Sequence, residues 1–177
     1  MNRKILYPII IVCGIIVIAC WYHWWFNPLT TIILVRHAEK GPGQDPPLIE
    51  AGHKRAGALA HAVSSAGVAA IFVSEALRTQ QTADSAAALL GLTPEIIPAN
   101  SVDELANRIK SDHQGEVVLV VGHSNTVPQI IEKLGVSSPP ALPETEFDNM
   151  FIVHRHKYGL RELTHLKYGK HLCPCSE

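Results

Sequence analysis

Two apolar runs of strand length, each breaking off into a basic or imidazole side chain, constrain this chain more than any other feature. Thr31-Ile-Ile-Leu-Val35 ends in Arg36-His37-Ala38-Glu39, with Pro28 before it and Gly41 and Pro42 after. Val117-Val-Leu-Val-Val121 ends in Gly122-His123-Ser124-Asn125. Apolar, β-branched runs without polar alternation suit strands covered on both faces, as in a parallel sheet. A third run, Ile71-Phe-Val-Ser74, leads into Arg78-Thr79 and Thr82-Ala83. Ligands of open α/β sheets bind beyond the carboxyl ends of the strands. Arg36, His37, Arg78 and His123 are therefore the first candidates for a site.

Between the strands, apolar residues recur at i, i+3, i+4 and i+7: Ala56, Leu59, Ala60, Val63; Ala83, Ala86, Ala87, Leu90; Val102, Leu105, Ala106, Ile109; Val127, Ile130, Ile131, Leu134. This period predicts amphipathic helices. They alternate with strands expected near residues 70–74, 95–97 and 117–121, the pattern of a parallel sheet with helices on its faces. After a Pro-rich connector over 137–143, residues 150–154 and 160–164 around Lys157-Tyr158-Gly159 predict a terminal hairpin. The expected architecture is an α/β three-layer sandwich with a mostly parallel central sheet and helices on both faces, plus an N-terminal transmembrane helix.

That last element follows from residues 5–26, which contain no Asp, Glu, Lys or Arg. At about 1.5 Å per residue such a helix reaches across a hydrocarbon core of about 30 Å. Arg3 and Lys4 before it predict a cytoplasmic amino terminus, and Trp21, Tyr22, Trp24 and Trp25 suit the far interface. Val17-Ile-Ala-Cys20 also matches a bacterial lipobox, so a lipoprotein anchored through Cys20 is the alternative. Either way the expectation is a membrane-anchored domain outside the cytoplasm, on the periplasmic side of the inner membrane if the source is bacterial. The predicted division is an anchor or signal segment over 1–27, a catalytic domain over 28–168 and a tail over 169–177. Cys173-Pro174-Cys175 and His171 in that tail are too few for a closed zinc site. The formal net charge of −1 gives no basic field for nucleic acid.

Val35-Arg36-His37-Ala38-Glu39, Asp45-Pro-Pro-Leu48 with Gly52, Ser74-Glu-Ala-Leu-Arg78-Thr79-Gln-Gln-Thr82-Ala83 and Val121-Gly122-His123-Ser124, in this order, resemble the histidine phosphatase superfamily. The likeness is to its phosphoglycerate-mutase-like branch, and in size to the small phosphohistidine phosphatases. Ala38 stands where many members carry Gly. The resemblance implies His37 as nucleophile and Arg36, Arg78 and His123 as the phosphate pocket. The chemistry agrees: guanidinium forks match phosphoryl oxygens, neighbouring cations hold an imidazole unprotonated, and an unprotonated imidazole can attack phosphorus. His123 would stabilise charge on the transferring group.

Family members usually draw the leaving-group proton from a carboxylic acid between the second Arg and the second His. Glu104 is the first candidate here and Asp103 the alternate, although Ser101-Val-Asp-Glu104 also fits a helix capping box. Asn125 and Thr126 suit a helix cap, His53 and Arg55 an exposed helix face, and Glu39 either a loop contact or a solvated turn. The expected function is a phosphatase acting on a phosphomonoester or phosphoramidate through a phosphohistidine on His37, of the histidine acid phosphatase type, with no cofactor and no metal. Its partners would be a phosphorylated small molecule, glycan or protein, and a membrane, but no nucleic acid. A non-catalytic anion-binding or scaffold module on the same fold is the competing expectation.

Overall fold

The structure, a computed structural model, describes residues 3–157 and 159–169. A helix α1 (Arg3–Phe26) precedes β1 (Leu29–Arg36), α2 (Glu50–Val63), β2 (Val68–Val73), α3 (Leu77–Leu90), β3 (Glu95–Ile96), α4 (Val102–Asp112), β4 (Val117–Gly122), α5 (Thr126–Lys133), β5 (Asn149–His156) and β6 (Arg161–Lys167). The strands form one sheet in the order β3-β2-β4-β1-β5-β6. β3, β2, β4 and β1 run parallel, β5 is antiparallel to β1, and β5 and β6 make the expected hairpin.

Strand alternation divides the core in two. On one face Ile32, Leu34, Phe72, Val118 and Val120 meet Leu105 and Ile109 of α4 and Val127, Ile130 and Ile131 of α5. On the other, Ile33, Val35, Ile71, Val73, Leu119 and Val121 meet Leu59 and Val63 of α2 and Ala83, Ala86 and Ala87 of α3. Burying a Leu, Ile or Val side chain is worth about 1.5–3 kcal/mol, and the helical period puts such side chains on the sheet-facing side of α2 to α5. The two central strands, β4 and β1, are covered from both sides and end side by side.

The expected transmembrane helix is corrected. Among the described residues, no helix is long and apolar enough to cross a membrane. The stretch of α1 whose side chains are described without a break, residues 9–22, is exposed. The expected location outside the cytoplasm, which rested on this helix spanning the membrane, falls with it. Cys173, Cys175 and His171 lie outside the described residues.

Candidate active site

The β1–β4 register sets Arg36 opposite Gly122, and the His37 amide donates to the Gly122 carbonyl at 2.9 Å. The residues that follow each strand are thereby brought together, with the His37 and His123 rings edge to face, centroids 5.5 Å apart. A Cβ on Gly122 would stand 2.9 Å from Thr126 Oγ1, so this residue lets α5 start tight against the strand end. Gly52 plays the same part for α2, where a Cβ would fall 2.2 Å from the Glu39 carbonyl oxygen. The loop behind His37 is further fixed by the Ala38 amide, which donates to Thr82 Oγ1 at 2.9 Å.

Arg36, His37, Arg78 and His123 line one open pocket of about 470 Å³. Arg36 lies over the Phe147 ring at 4.4 Å and donates through Nη1 to the Pro143 and Glu146 carbonyls at 3.1 and 3.4 Å. Burial lowers its pKa from the ordinary value, an effect Glu144 opposes and Arg78 adds to. The Nε atoms of both Arg36 and Arg78 are buried without a protein partner. Buried guanidinium donors left unpaired cost free energy, and an oxyanion in the pocket would satisfy them.

The hydrogen bonds fix both imidazoles. His37 Nδ1 lies 2.8 Å from the Ala38 carbonyl oxygen; a carbonyl only accepts, so Nδ1 carries the proton and the Nε2 lone pair is free. His123 Nδ1 accepts from Arg78 Nη2 at 3.4 Å, and its Nε2 lies 2.9 Å from Ser74 Oγ. A guanidinium only donates, so the neutral His123 carries its proton on Nε2 and gives it to Ser74. Ser74 Oγ is 2.9 Å from Thr79 Oγ1, which donates to the Ala76 carbonyl at 2.7 Å.

Both rings are held neutral well below pH 7. Burial pushes the His37 pKa down to about 4, opposed by the Ala38 bond and assisted by Arg36, His123 and Arg78. The arginines expected to dominate this shift are secondary to desolvation. His123 is also lowered to about 4, by burial and then by Arg78, with Glu75 opposing and Arg36 adding.

The carboxylates are arranged otherwise than expected. Asp103 pairs with Lys133 at 2.7 Å, Glu104 is exposed on α4, and neither lines the pocket. Ser101 makes no side-chain cap, so the capping box is absent too. Glu75 and Glu144 line the pocket instead. Glu75 accepts the Ala99 amide at 2.8 Å; a bond from its own backbone, and then this one, hold its carboxyl below the usual range. Its place beside Ser74 in a recognisable motif was the only signal that could have found it. Glu39 and Arg55 form a bidentate pair at 2.6–2.9 Å, half-buried rather than solvated. Thr126 Oγ1 accepts the His123 amide at 2.9 Å, while Asn125 makes no side-chain cap. Among the described residues no group of three His, Cys, Asp or Glu could hold a metal ion.

Two guanidiniums and two imidazoles thus meet in one pocket, beside the ends of β1 and β4 and at the start of α3. The profile of the histidine phosphatase superfamily (branch 1) matches residues 32–104, the stretch over which this chain is similar to that family. A PE-PGRS family protein, PE_PGRS11 of Mycobacterium tuberculosis, is 40% identical over 73 residues, 41% of this chain; the chain spans 12% of that protein's length. The fold is shared with the protein histidine phosphatase SixA solved with tungstate (TM-score 0.63, 18% identity, 77% of this chain and 96% of that one). It is also shared with a putative alpha-ribazole-5'-P phosphatase from Escherichia coli str. K-12 (TM-score 0.60, 17% identity, 78% and 96%).

Proposed function

We propose that this protein is a phosphatase of phosphomonoesters or phosphoramidates that works through a phosphohistidine on His37. The observation that carries this reading is the free Nε2 of His37 in a pocket lined by two guanidiniums whose Nε donors have no protein partner. Arg36 and Arg78 hold the phosphoryl oxygens, and His37 Nε2 attacks phosphorus as the bond to the leaving oxygen or nitrogen breaks. Water then attacks the phosphohistidine, releasing phosphate and restoring the imidazole. Arg78 and His123 stabilise charge on the equatorial oxygens during both transfers. The oxyanion bound to SixA fits the same pocket chemistry.

With Glu104 and Asp103 outside the pocket, the leaving group has no proton donor from α4. Glu75, held ionised near neutral pH, accepts rather than donates. Leaving groups that need little protonation, such as phosphoramidates and aryl phosphates, are therefore the better substrates, whether they belong to a small molecule, a glycan or a protein. Turnover of an aryl phosphate, an alkyl phosphate and a phosphoramidate by the full chain tests this. Alkyl turnover equal to aryl would overturn the leaving-group preference, and tight phosphate binding with no turnover of any substrate would overturn the phosphatase reading.

A further inference from the structure

The loop over residues 41–47, between β1 and α2, reaches across to the start of α3. Asp45 makes that contact. Its Oδ1 and Oδ2 accept the Leu77 amide at 3.1 and 3.3 Å, although α3 has no side-chain cap from its own N-cap residue, Ala76. The same carboxylate meets Arg78 Nη1 at 3.4 Å. Arg78 Nη2, the opposite corner of that fork, reaches His123 Nδ1 at 3.4 Å, and Nε remains buried and unpaired. The loop is tied down a second time where the Leu48 amide donates to Gln81 Oε1 at 2.8 Å.

We infer that Asp45 is a positioning residue for Arg78: it caps α3 from a distant loop and fixes the guanidinium between a carboxylate and His123, so that the fork meets the phosphoryl group already oriented. A flexible Arg side chain gives up rotamer freedom on binding an anion. A carboxylate at one corner and an imidazole at another remove much of that loss in advance. Asp45 touches neither the reacting atoms nor His37, and it acts through Arg78.

This inference rests on the phosphate-pocket reading of Arg78, and a double-mutant cycle on the full chain separates the two. Binding of inorganic phosphate and of tungstate is measured for the parent, Asp45→Ala, Asp45→Asn, Arg78→Ala and the Asp45→Ala/Arg78→Ala double variant, with thermal melts alongside. Because Asp45 is half-exposed, about three- to tenfold weaker oxyanion binding is expected in Asp45→Ala. That loss should vanish in the Arg78→Ala background, and KM for an aryl phosphate should rise more than kcat falls. Asp45→Asn keeps a cap acceptor without the charge, so it should keep the melting temperature while losing affinity. An Asp45→Ala loss that persists undiminished without Arg78, or no loss at all, would overturn the inference. Unchanged oxyanion binding in Arg78→Ala alone would instead overturn the pocket reading.

Discussion

His37 and His123 follow adjacent parallel strands, one register step past paired residues, and burial lowers both to about pH 4. By position, burial and titration they are equivalent. Their hydrogen bonds are not. His37 spends Nδ1 on a main-chain carbonyl and keeps Nε2 free, whereas His123 has one nitrogen on Arg78 and the other on Ser74. A depressed pKa thus makes an imidazole available as a nucleophile only where a lone pair is left over, and the neighbours of each ring decide that.

The sharpest way to break the comparison is to delete each ring. His37→Ala should abolish phosphoryl transfer, while His123→Ala should retain a residual rate, slowed by about 10²- to 10³-fold as for loss of one oxyanion donor. Equal, complete loss in both would put the two histidines on the same footing.

Acid stability should not tell them apart. Each ring has a folded pKa below its unfolded value of about 6.5, so the unfolded chain binds more protons between about pH 6.5 and 4. The stability they confer is complete above pH 6.5 and is lost as pH falls toward 4, on the order of 3 kcal/mol per ring. Denaturant melts across this range should steepen for the parent and flatten equally in His37→Gln and His123→Gln. Unequal flattening would mean that the rings differ in burial as well as in bonding.

Ser74→Ala should affect one histidine and spare the other. It strands the His123 Nε2 proton in a buried setting, at about 1–3 kcal/mol of stability, and frees the ring to take the other tautomer. The rate should fall, but His37 should still accept a phosphoryl group. Failure of His37 to become labelled in this variant would contradict separate roles for the two rings.

The smallest effect is expected at Glu104. Glu104→Gln lies outside the pocket and makes no capping box, so turnover of alkyl and aryl phosphates should stay at parent rates and stability within about 0.5 kcal/mol. A selective alkyl defect would restore Glu104 as proton donor.

What the sequence made legible was periodic. Leu59 and Val63, Ala83 and Ala87, Leu105 and Ile109, and Ile130 and Ile131 are buried on the helices that their spacing predicted. The terminal hairpin, β5 with β6, formed over the two runs from which it was expected. Arg36, His37, Arg78 and His123 could be gathered in advance because strand ends of a parallel sheet converge. The parts that stayed hidden depend on partners far apart in the chain. The tautomer of His123 is set by Ser74, 49 residues away, and the cap on α3 comes from Asp45, 32 residues before it. Glu104 matched a local capping pattern, but the side of α4 on which it falls follows from the burial of Val102, Leu105 and Ile109 against the sheet, not from the tetrapeptide. The N-terminal segment reads as an anchor from its apolar run, its flanking charges and its aromatic residues, yet among the described residues no helix is long and apolar enough to cross a membrane.

The central claim is that His37 reacts through Nε2 while His123 stays uncharged by phosphoryl transfer. Rapid quench of the full chain with a labelled aryl phosphate should trap an acid-labile, base-stable phosphoryl group. Phosphorus–nitrogen coupling in histidine-labelled protein should place it on Nε2 of His37. A phosphoryl group on Nδ1 of His37, on His123, or on a hydroxyl or thiol would contradict the account.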